Sequence, residues 1–79
     1  MKVKVLAFGI AKDIFGSPTA ELDIIGDTTA DLKDALETTY PRLRQLASYM
    51  VAVNNEYAQD NSQLTERDEI AIIPPVSGG

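Results

Sequence analysis

The first residues of the chain alternate between polar and apolar side chains with the two-residue period of a β-strand. Over residues 2–8, Val3, Val5 and Ala7 fall on one face, and the opposite face carries Lys2, Lys4, Leu6 and Phe8. Alternation returns over residues 21–25, between the turn signal at residues 16–18 and Gly26. These patterns predict two strands, separated by a short polar and apolar stretch over residues 10–15 that gives no element of its own.

The middle of the chain changes to the period of an α-helix. The apolar side chains that follow this spacing are Leu32, Ala35, Leu36 and Tyr40. Thr28 with Asp31 three residues later resembles a capping box, with Asp where Glu is usual. The sequence therefore predicts a helix over residues 29–39, whose outward charges form a solvated face. Pro41 is suited to begin a separate short helical turn.

The last third of the chain contains three extended stretches. Residues 49–53 form an apolar run of strand length, Asn54-Asn55 is a hairpin-type turn, and residues 56–58 return as a brief strand. Residues 70–73 form the last strand, and Pro74-Pro75 ends it because proline has no backbone N–H to donate.

The resulting order is strand, strand, helix, strand, minor strand, strand, which predicts an α+β fold with one main helix on one face of a mixed sheet. This order fits the β-grasp, or ubiquitin-like, architecture. A ferredoxin-like split βαβ fold remains an alternative, although the second helix it needs is weak here. At 79 residues there is room for one core. We expect a β-grasp domain over residues 1–73 and an extended, flexible tail over residues 74–79.

Strand alternation also predicts an apolar patch on the sheet face that the helix leaves open. Its expected members are Leu6, Phe8, Met50, Ala52, Ala71 and Ile73, with Tyr57 at the edge. Open apolar patches usually mark interfaces. The alternative is that the irregular segment 57–68 packs over this face.

Composition limits the chemistry that side chains can supply. The chain has no Cys and no His, which excludes thiol nucleophiles, iron–sulfur ligation and imidazole acid/base catalysis. Twelve acidic and seven basic residues give a net charge of -5, so nucleic acid and anionic membranes are poor partners. The apolar runs are too short for a signal peptide or a membrane span, and we expect a cytoplasmic protein.

The last six residues, Pro74-Pro75-Val76-Ser77-Gly78-Gly79, differ in composition from the rest. The prolines favour an extended base, and at roughly 3.3 Å per residue the tail would reach about 20 Å from the sheet. Gly78 and Gly79 have no Cβ, so a narrow channel of a partner could close around them. The carboxylate of Gly79 is then the distinctive reactive group. With no GxxxxGK[ST] loop in the chain, an activating nucleotide would bind the partner.

The chain resembles the small subunit of molybdopterin synthase, the MoaD-type sulfur carrier. The resemblance runs from Lys4-Val5-Leu6-Ala7-Phe8 through Ala52-Val53-Asn54 to the run from Asp68 to Ile73, and its most specific part is the Pro-Pro-Val-Ser-Gly-Gly ending. Arg67 departs from the pattern, since the family commonly has Gly there. This departure leaves the turn before the last strand open.

The resemblance implies that an E1-like activating enzyme adenylates Gly79 with Mg-ATP, and that the product becomes a thiocarboxylate. The small subunit would bind no cofactor itself. Its tail would enter the large synthase subunit, which holds the catalytic groups, and donate sulfur to cyclic pyranopterin monophosphate to form the molybdopterin dithiolene in a heterotetramer. The matching partner-binding positions are Phe8, Tyr57, Ile73, Pro74, Pro75, Val76 and Ser77, with Gly78 fitting the channel. Alternatives are a sulfur carrier for thiamine, cysteine or tRNA thiolation, and a ubiquitin-like modifier of lysines.

Overall fold

The computed structural model describes residues 1–46 and 48–74, in which five strands form one mixed sheet. The strands are β1 (Lys2–Ala7), β2 (Thr19–Asp23), β3 (Met50–Val53), β4 (Glu56–Tyr57) and β5 (Ile70–Ile73). They lie in the order β2-β1-β5-β3-β4. The central pair β1 and β5 is parallel, and the other neighbouring pairs are antiparallel. The predicted α+β sheet is confirmed.

Helix α2 (Thr29–Thr39) has the predicted bounds, because the capping box that begins it is present. The backbone N–H of Asp31 donates to Thr28 Oγ1 at 3.2 Å, and the N–H of Thr28 donates to Asp31 Oδ2 at 3.2 Å. Leu32 and Leu36 of this helix are fully buried against the sheet. A 3₁₀-helix over Pro41–Gln45 follows, as the proline predicts, and buries Leu43.

The core lies between α2 and one face of the sheet. Its strand residues are the inward set of each alternating pattern: Val3, Val5, Ala7, Ala20, Leu22, Val51, Ile70 and Ile72. Val53 also packs against this core. Because side chains alternate along a strand, the residues between these inward positions point to the other face of the sheet. The helix-covered face and the open face are therefore separated as the sequence predicts.

Two elements near the N-terminus differ from the prediction. Residues 10–15 form a short helix, α1 (Ile10–Phe15), which buries Ala11 and Phe15 and ends at Gly16 in a left-handed conformation with φ 74. Strand β2 runs over Thr19–Asp23 instead of residues 21–25. The prediction was wrong here because the register of β1 and β2 runs from Leu6–Thr19 to Lys2–Asp23, and only the backbone hydrogen bonds between Ile24 and Met1 continue the pairing beyond it.

The irregular segment after β4 packs against the start of α2 and not over the open face. The N–H groups of Thr29 and Ala30 donate to the carbonyls of Ser62 and Asp60, at 3.0 and 2.8 Å. Leu64 is buried in the core, and its N–H donates to the Asp27 carbonyl at 2.6 Å. The alternative in which this segment covers the open face is therefore wrong.

The turn that contains Arg67 needs no left-handed residue. Among the described residues, Asn54 and Asn55 are the only non-glycine residues with positive φ, at 54 and 69. The Arg67 turn is instead closed by hydrogen bonds between Asp68 and Thr65, with the Asp68 N–H donating to the Thr65 carbonyl at 3.2 Å. An arginine is thus accommodated without backbone strain.

Candidate functional site: the open face of the sheet

Two rows of side chains cross the open face from strand to strand. The register pairs Leu6 with Ala71, Ala71 with Ala52, and Ala52 with Tyr57, which gives one continuous row. A second row lies two residues further along β3 and β5, where Met50 pairs with Ile73. Because Ala7 pairs with Ile72, the same register brings Phe8 beside Ile73. The sheet thus brings together the residues that alternation assigned to one patch.

Large apolar side chains on this face remain open to solvent. Phe8 is 52% exposed, Met50 48% and Tyr57 65%. Ala52 lies on the same face but is buried. Because small side chains occupy the middle of the first row, the face is concave there and holds a shallow cavity of about 320 Å³. The cavity is lined by Leu6, Phe8, Ala52, Asn55, Tyr57, Glu69, Ala71 and Ile73.

The rim of this cavity carries two polar residues that the sequence analysis did not single out, Asn55 and Glu69. The backbone at Glu69 is fixed, since its N–H donates to Asn54 Oδ1 at 2.9 Å. Asn54 Nδ2 in turn donates to Asp68 Oδ1 at 3.0 Å. A polar rim around an apolar centre is the usual anatomy of a protein–protein interface. The sequence signal that could have identified Asn55 and Glu69 is their position, just after β3 and just before β5.

The carboxyl group of Asp68 stabilises this rim in its ionised form. The Thr65 backbone N–H donates to it at 2.9 Å, and the Asn54 amide donates to its other oxygen. These hydrogen bonds hold the pKa of Asp68 below its ordinary value of 3.8. The turn after β3 and the loop before β5 are therefore joined at neutral pH.

The base of the tail lies next to the aromatic end of the open face. Gly9 follows Phe8 directly and has φ 56, and a Cβ at Gly9 would lie 3.2 Å from Cγ of Pro74. Pro74 is itself partly buried. The chain thus leaves β5 in contact with the segment that carries Phe8. The predicted site residues Pro75, Val76, Ser77, Gly78 and Gly79 lie outside the described residues.

The described part of the chain offers no group of three or more acidic, His or Cys side chains that could hold a metal ion. Within the same residues, no helix is long and apolar enough to cross a membrane. The open face is instead suited to contact another protein, through its apolar side chains and its polar rim.

The fold and this open face define a ubiquitin-like protein of the β-grasp class. The ThiS family model matches residues 5–79. The molybdopterin synthase sulfur carrier subunit of Arabidopsis thaliana is 41% identical, with 100% of this chain and 84% of the relative covered. The chain therefore belongs to the ThiS family, in the group of the molybdopterin synthase sulfur carrier subunits.

Solved structures agree with this assignment. Small archaeal modifier protein 1 of Haloferax volcanii superposes with a TM-score of 0.82 at 31% identity, covering 100% of both chains. A chain from the protein–protein complex of subunits 1 and 2 of the molybdopterin-converting factor of Helicobacter pylori has a TM-score of 0.69 at 26% identity, again over 100% of both chains. The ferredoxin-like alternative is therefore excluded, and the β-grasp prediction is confirmed.

Proposed function

We propose that this chain carries sulfur on the C-terminal carboxyl group of Gly79 and donates it within a molybdopterin synthase. The observation that carries the proposal is the 41% identity to a molybdopterin synthase sulfur carrier subunit over the whole chain. Supporting it, the chain has neither Cys nor His, so no side chain of the types that usually carry or transfer sulfur is present.

The proposed chemistry has two steps, both on the main chain. First, a carboxylate oxygen of Gly79 attacks the α-phosphorus of Mg-ATP on an E1-like activating enzyme, and pyrophosphate leaves. A hydrosulfide ion from the sulfur source then attacks the acyl carbon, AMP leaves, and loss of the S–H proton gives the thiocarboxylate. Activation is needed because a free carboxylate has no good leaving group. This chain supplies the acyl group and the docking surface, and the partners supply nucleotide binding and catalysis.

The open face is the proposed docking surface for the large synthase subunit. Phe8 and Ile73 lie on adjacent parts of the face, and Tyr57 ends the first row. The base of the tail at Pro74 is in reach of Gly9, beside the exposed ring of Phe8. A partner that covers the face would therefore meet the beginning of the tail at the same time. Contact of these residues with a partner stays a prediction.

Intact mass spectrometry tests the sulfur-carrier proposal directly. The purified chain is incubated with the activating enzyme, Mg-ATP and a sulfur source, and we expect the mass gain of one sulfur in place of one oxygen. Deletion of Gly79 should abolish the subsequent transfer while leaving the thermal unfolding midpoint unchanged. An unchanged mass, with an enzyme that thiolates another carrier in the same mixture, would refute the proposal.

The pathway is tested by the acceptor. The thiocarboxylated chain is mixed with a molybdopterin synthase large subunit and cyclic pyranopterin monophosphate, and separately with a thiazole synthase and its substrates. We expect sulfur transfer only in the first mixture. Transfer only in the second would assign the chain to thiamine synthesis and leave the carrier chemistry intact.

A second candidate function is protein modification, because a small archaeal modifier protein superposes at a TM-score of 0.82. In that case Gly79 would form an isopeptide bond with a lysine of another protein. Tryptic peptides from cells that express the chain would then carry a C-terminal remnant of it on lysine. Their presence only when the activating enzyme is intact would support this second function.

A further inference from the structure

A second apolar anchor lies away from the open face, at Ile25. Its side chain is 96% exposed, the most exposed of the large hydrophobic residues in the described chain. A single exposed apolar residue is common in proteins and by itself means little. At Ile25, however, the backbone on both sides is fixed, and the side chain stands at the border of a groove.

On the N-terminal side, Ile24 is held by two hydrogen bonds to the first residue. Its N–H donates to the Met1 carbonyl at 2.8 Å, and the Met1 ammonium group donates to the Ile24 carbonyl at 2.9 Å. The Ile24 side chain is buried in the core. Since successive side chains of extended backbone point to opposite sides, a buried Ile24 directs Ile25 outward.

On the C-terminal side, Gly26 has φ 102 and leaves no space for a side chain. A Cβ there would collide with the carboxylate of Asp31, which also accepts the N–H groups of Asp27 and Thr28 at 3.1 and 3.2 Å. The capping box of α2 therefore fixes the bend that follows Ile25. Because the backbone on both sides of Ile25 is already fixed, it loses little conformational entropy when a partner binds the side chain.

The groove beside Ile25 runs between the end of β2 and helix α2, and it has a volume of about 360 Å³. It is lined by Asp23, Ile25, Asp31, Asp34, Ala35, Thr38 and Thr39. Three of these residues are acidic and none is basic. The ion pairs of the described chain use other carboxylates, Asp60 with Lys33 and Glu37 with Arg44. The groove thus presents Asp23 and Asp34 beside an apolar anchor, while the carboxylate of Asp31 takes part in the capping box and Lys2 lies opposite Asp23 in the register of β1 and β2.

We propose that Ile25 and this groove form a second docking surface, which binds an extended basic segment of a partner protein with an apolar side chain packed against Ile25. Lysine or arginine side chains of the segment would face Asp23 and Asp34, in agreement with the net charge of -5. An extended segment fits because β2 is an edge strand of the sheet, and edge strands can accept an added strand.

The groove and the open-face cavity have no lining residue in common. One lies between β2 and α2, and the other is formed on the uncovered side of the sheet by β1, β3, β4 and β5. A partner whose contacts are confined to the open face therefore leaves the lining of the groove uncovered. The two surfaces can be occupied at the same time, so a second protein can hold the chain while the open face is engaged.

A titration of the isotope-labelled chain, followed by amide chemical shifts, tests this proposal. The probe is a synthetic peptide of alternating Lys and Leu, and the control peptide carries Glu in place of each Lys. We expect saturable shifts at residues 23–27 and 34–39 with the basic peptide only. The affinity should fall as the ionic strength rises, because the charge contribution is exposed to solvent.

Three variants locate the binding surface. Ile25→Ser should weaken binding about ten-fold or more, because it removes the apolar contact. Asp34→Asn should weaken it by a smaller factor. Ile10→Ser is the matched control, since Ile10 is also exposed, at 47%, but does not line the groove, and its affinity should be unchanged. The thermal unfolding midpoint of each variant checks that it is folded.

Several results would overturn the proposal. These are the absence of shifts at saturating peptide, shifts confined to the open face, or equal weakening by Ile25→Ser and Ile10→Ser. Shifts at Ile25 that depend on the concentration of the chain alone would assign the surface to a second copy. The titration uses the unmodified chain, so its failure would leave the sulfur-carrier proposal unaffected.

Discussion

The exposed ring of Phe8 should supply a large part of the binding energy on the open face. The ring is 52% exposed, so about half of its surface is still available for burial by a partner. Full burial of a phenylalanine side chain contributes about 1.5–3 kcal/mol, and the exposed half therefore about 0.8–1.5 kcal/mol. We expect Phe8→Ala to raise the Kd for the large synthase subunit by roughly four- to twelve-fold.

The matched control for this measurement is Ile10→Ala. Ile10 lies two residues along the chain and is 47% exposed, but it begins α1 and does not line the open-face cavity. Both substitutions remove a half-buried side chain, so each should lower the free energy of unfolding by about 1 kcal/mol. Only Phe8→Ala should change the Kd, as measured by isothermal titration calorimetry with the large subunit.

The result that would refute this reasoning is an equal effect of the two substitutions on the Kd. If both variants bind as the unmodified chain does, the ring of Phe8 does not contribute to docking, and the contact must lie elsewhere on the chain. If both variants bind more weakly by the same factor, the loss of affinity results from the lower stability of the fold and not from a missing contact with the partner. Urea unfolding of each variant separates these two cases.

Three further predictions concern the stability of the fold. Hydrogen bonds from the Thr28 side chain and from the Thr28 and Asp27 backbone hold the pKa of Asp31 below 3.8. Their contribution to the free energy of unfolding is therefore present above pH 3.8 and is lost as the pH falls through the lower pKa of the folded state. Asp31→Asn should make this loss of stability smaller, as measured by urea unfolding at a series of acid pH values. Asn54→Ala removes two hydrogen bonds and places alanine at φ 54, so calorimetry should show that the free energy of unfolding falls by about 2 kcal/mol. Asn55→Gly, at φ 69, should change it by less than about 1 kcal/mol, because glycine adopts positive φ readily. Gly26→Ala should lower the free energy of unfolding by about 2–3 kcal/mol, and Gly16→Ala by about 1 kcal/mol, as measured by chemical unfolding. The difference is expected because only a Cβ at Gly26 would collide with Asp31. Equal losses would contradict this account of the bend.

The sequence predicts those elements whose signals are local. Helix α2 matches its predicted bounds because its start is encoded by Thr28 and Asp31 and its face by Leu32 and Leu36. The open face is also predictable, since a two-residue period in β1 and β5 assigns each side chain to one face of the sheet. The assignment of Phe8 to that face needed only the pattern of the residues before it.

The remaining features depend on contacts between distant residues. The bounds of β2, Thr19–Asp23, follow from its register with β1, and the alternation of residues 21–25 does not show where that partner strand begins and ends. Helix α1 has six residues, too few to repeat an apolar pattern, and only Ala11 and Phe15 show its buried side. The cavity on the open face likewise depends on distant residues. Asn55 lies in the turn after β3 and Glu69 in the loop before β5, and only the folded sheet brings both to the same cavity.

The position of β5 in the sheet has a consequence for synthesis of the chain. This strand is the last in sequence but lies in the middle of the sheet, parallel to β1 and antiparallel to β3. Until residues 70–73 have left the ribosome, β1 and β3 have no strand to join them, and Ile70 and Ile72 are missing from the core. The sheet can close only after β5 has been synthesised and has emerged from the ribosome. Ribosomal products that stop earlier would therefore be open to proteolysis, and every molecule that survives as a folded domain would carry the strand from which the tail begins.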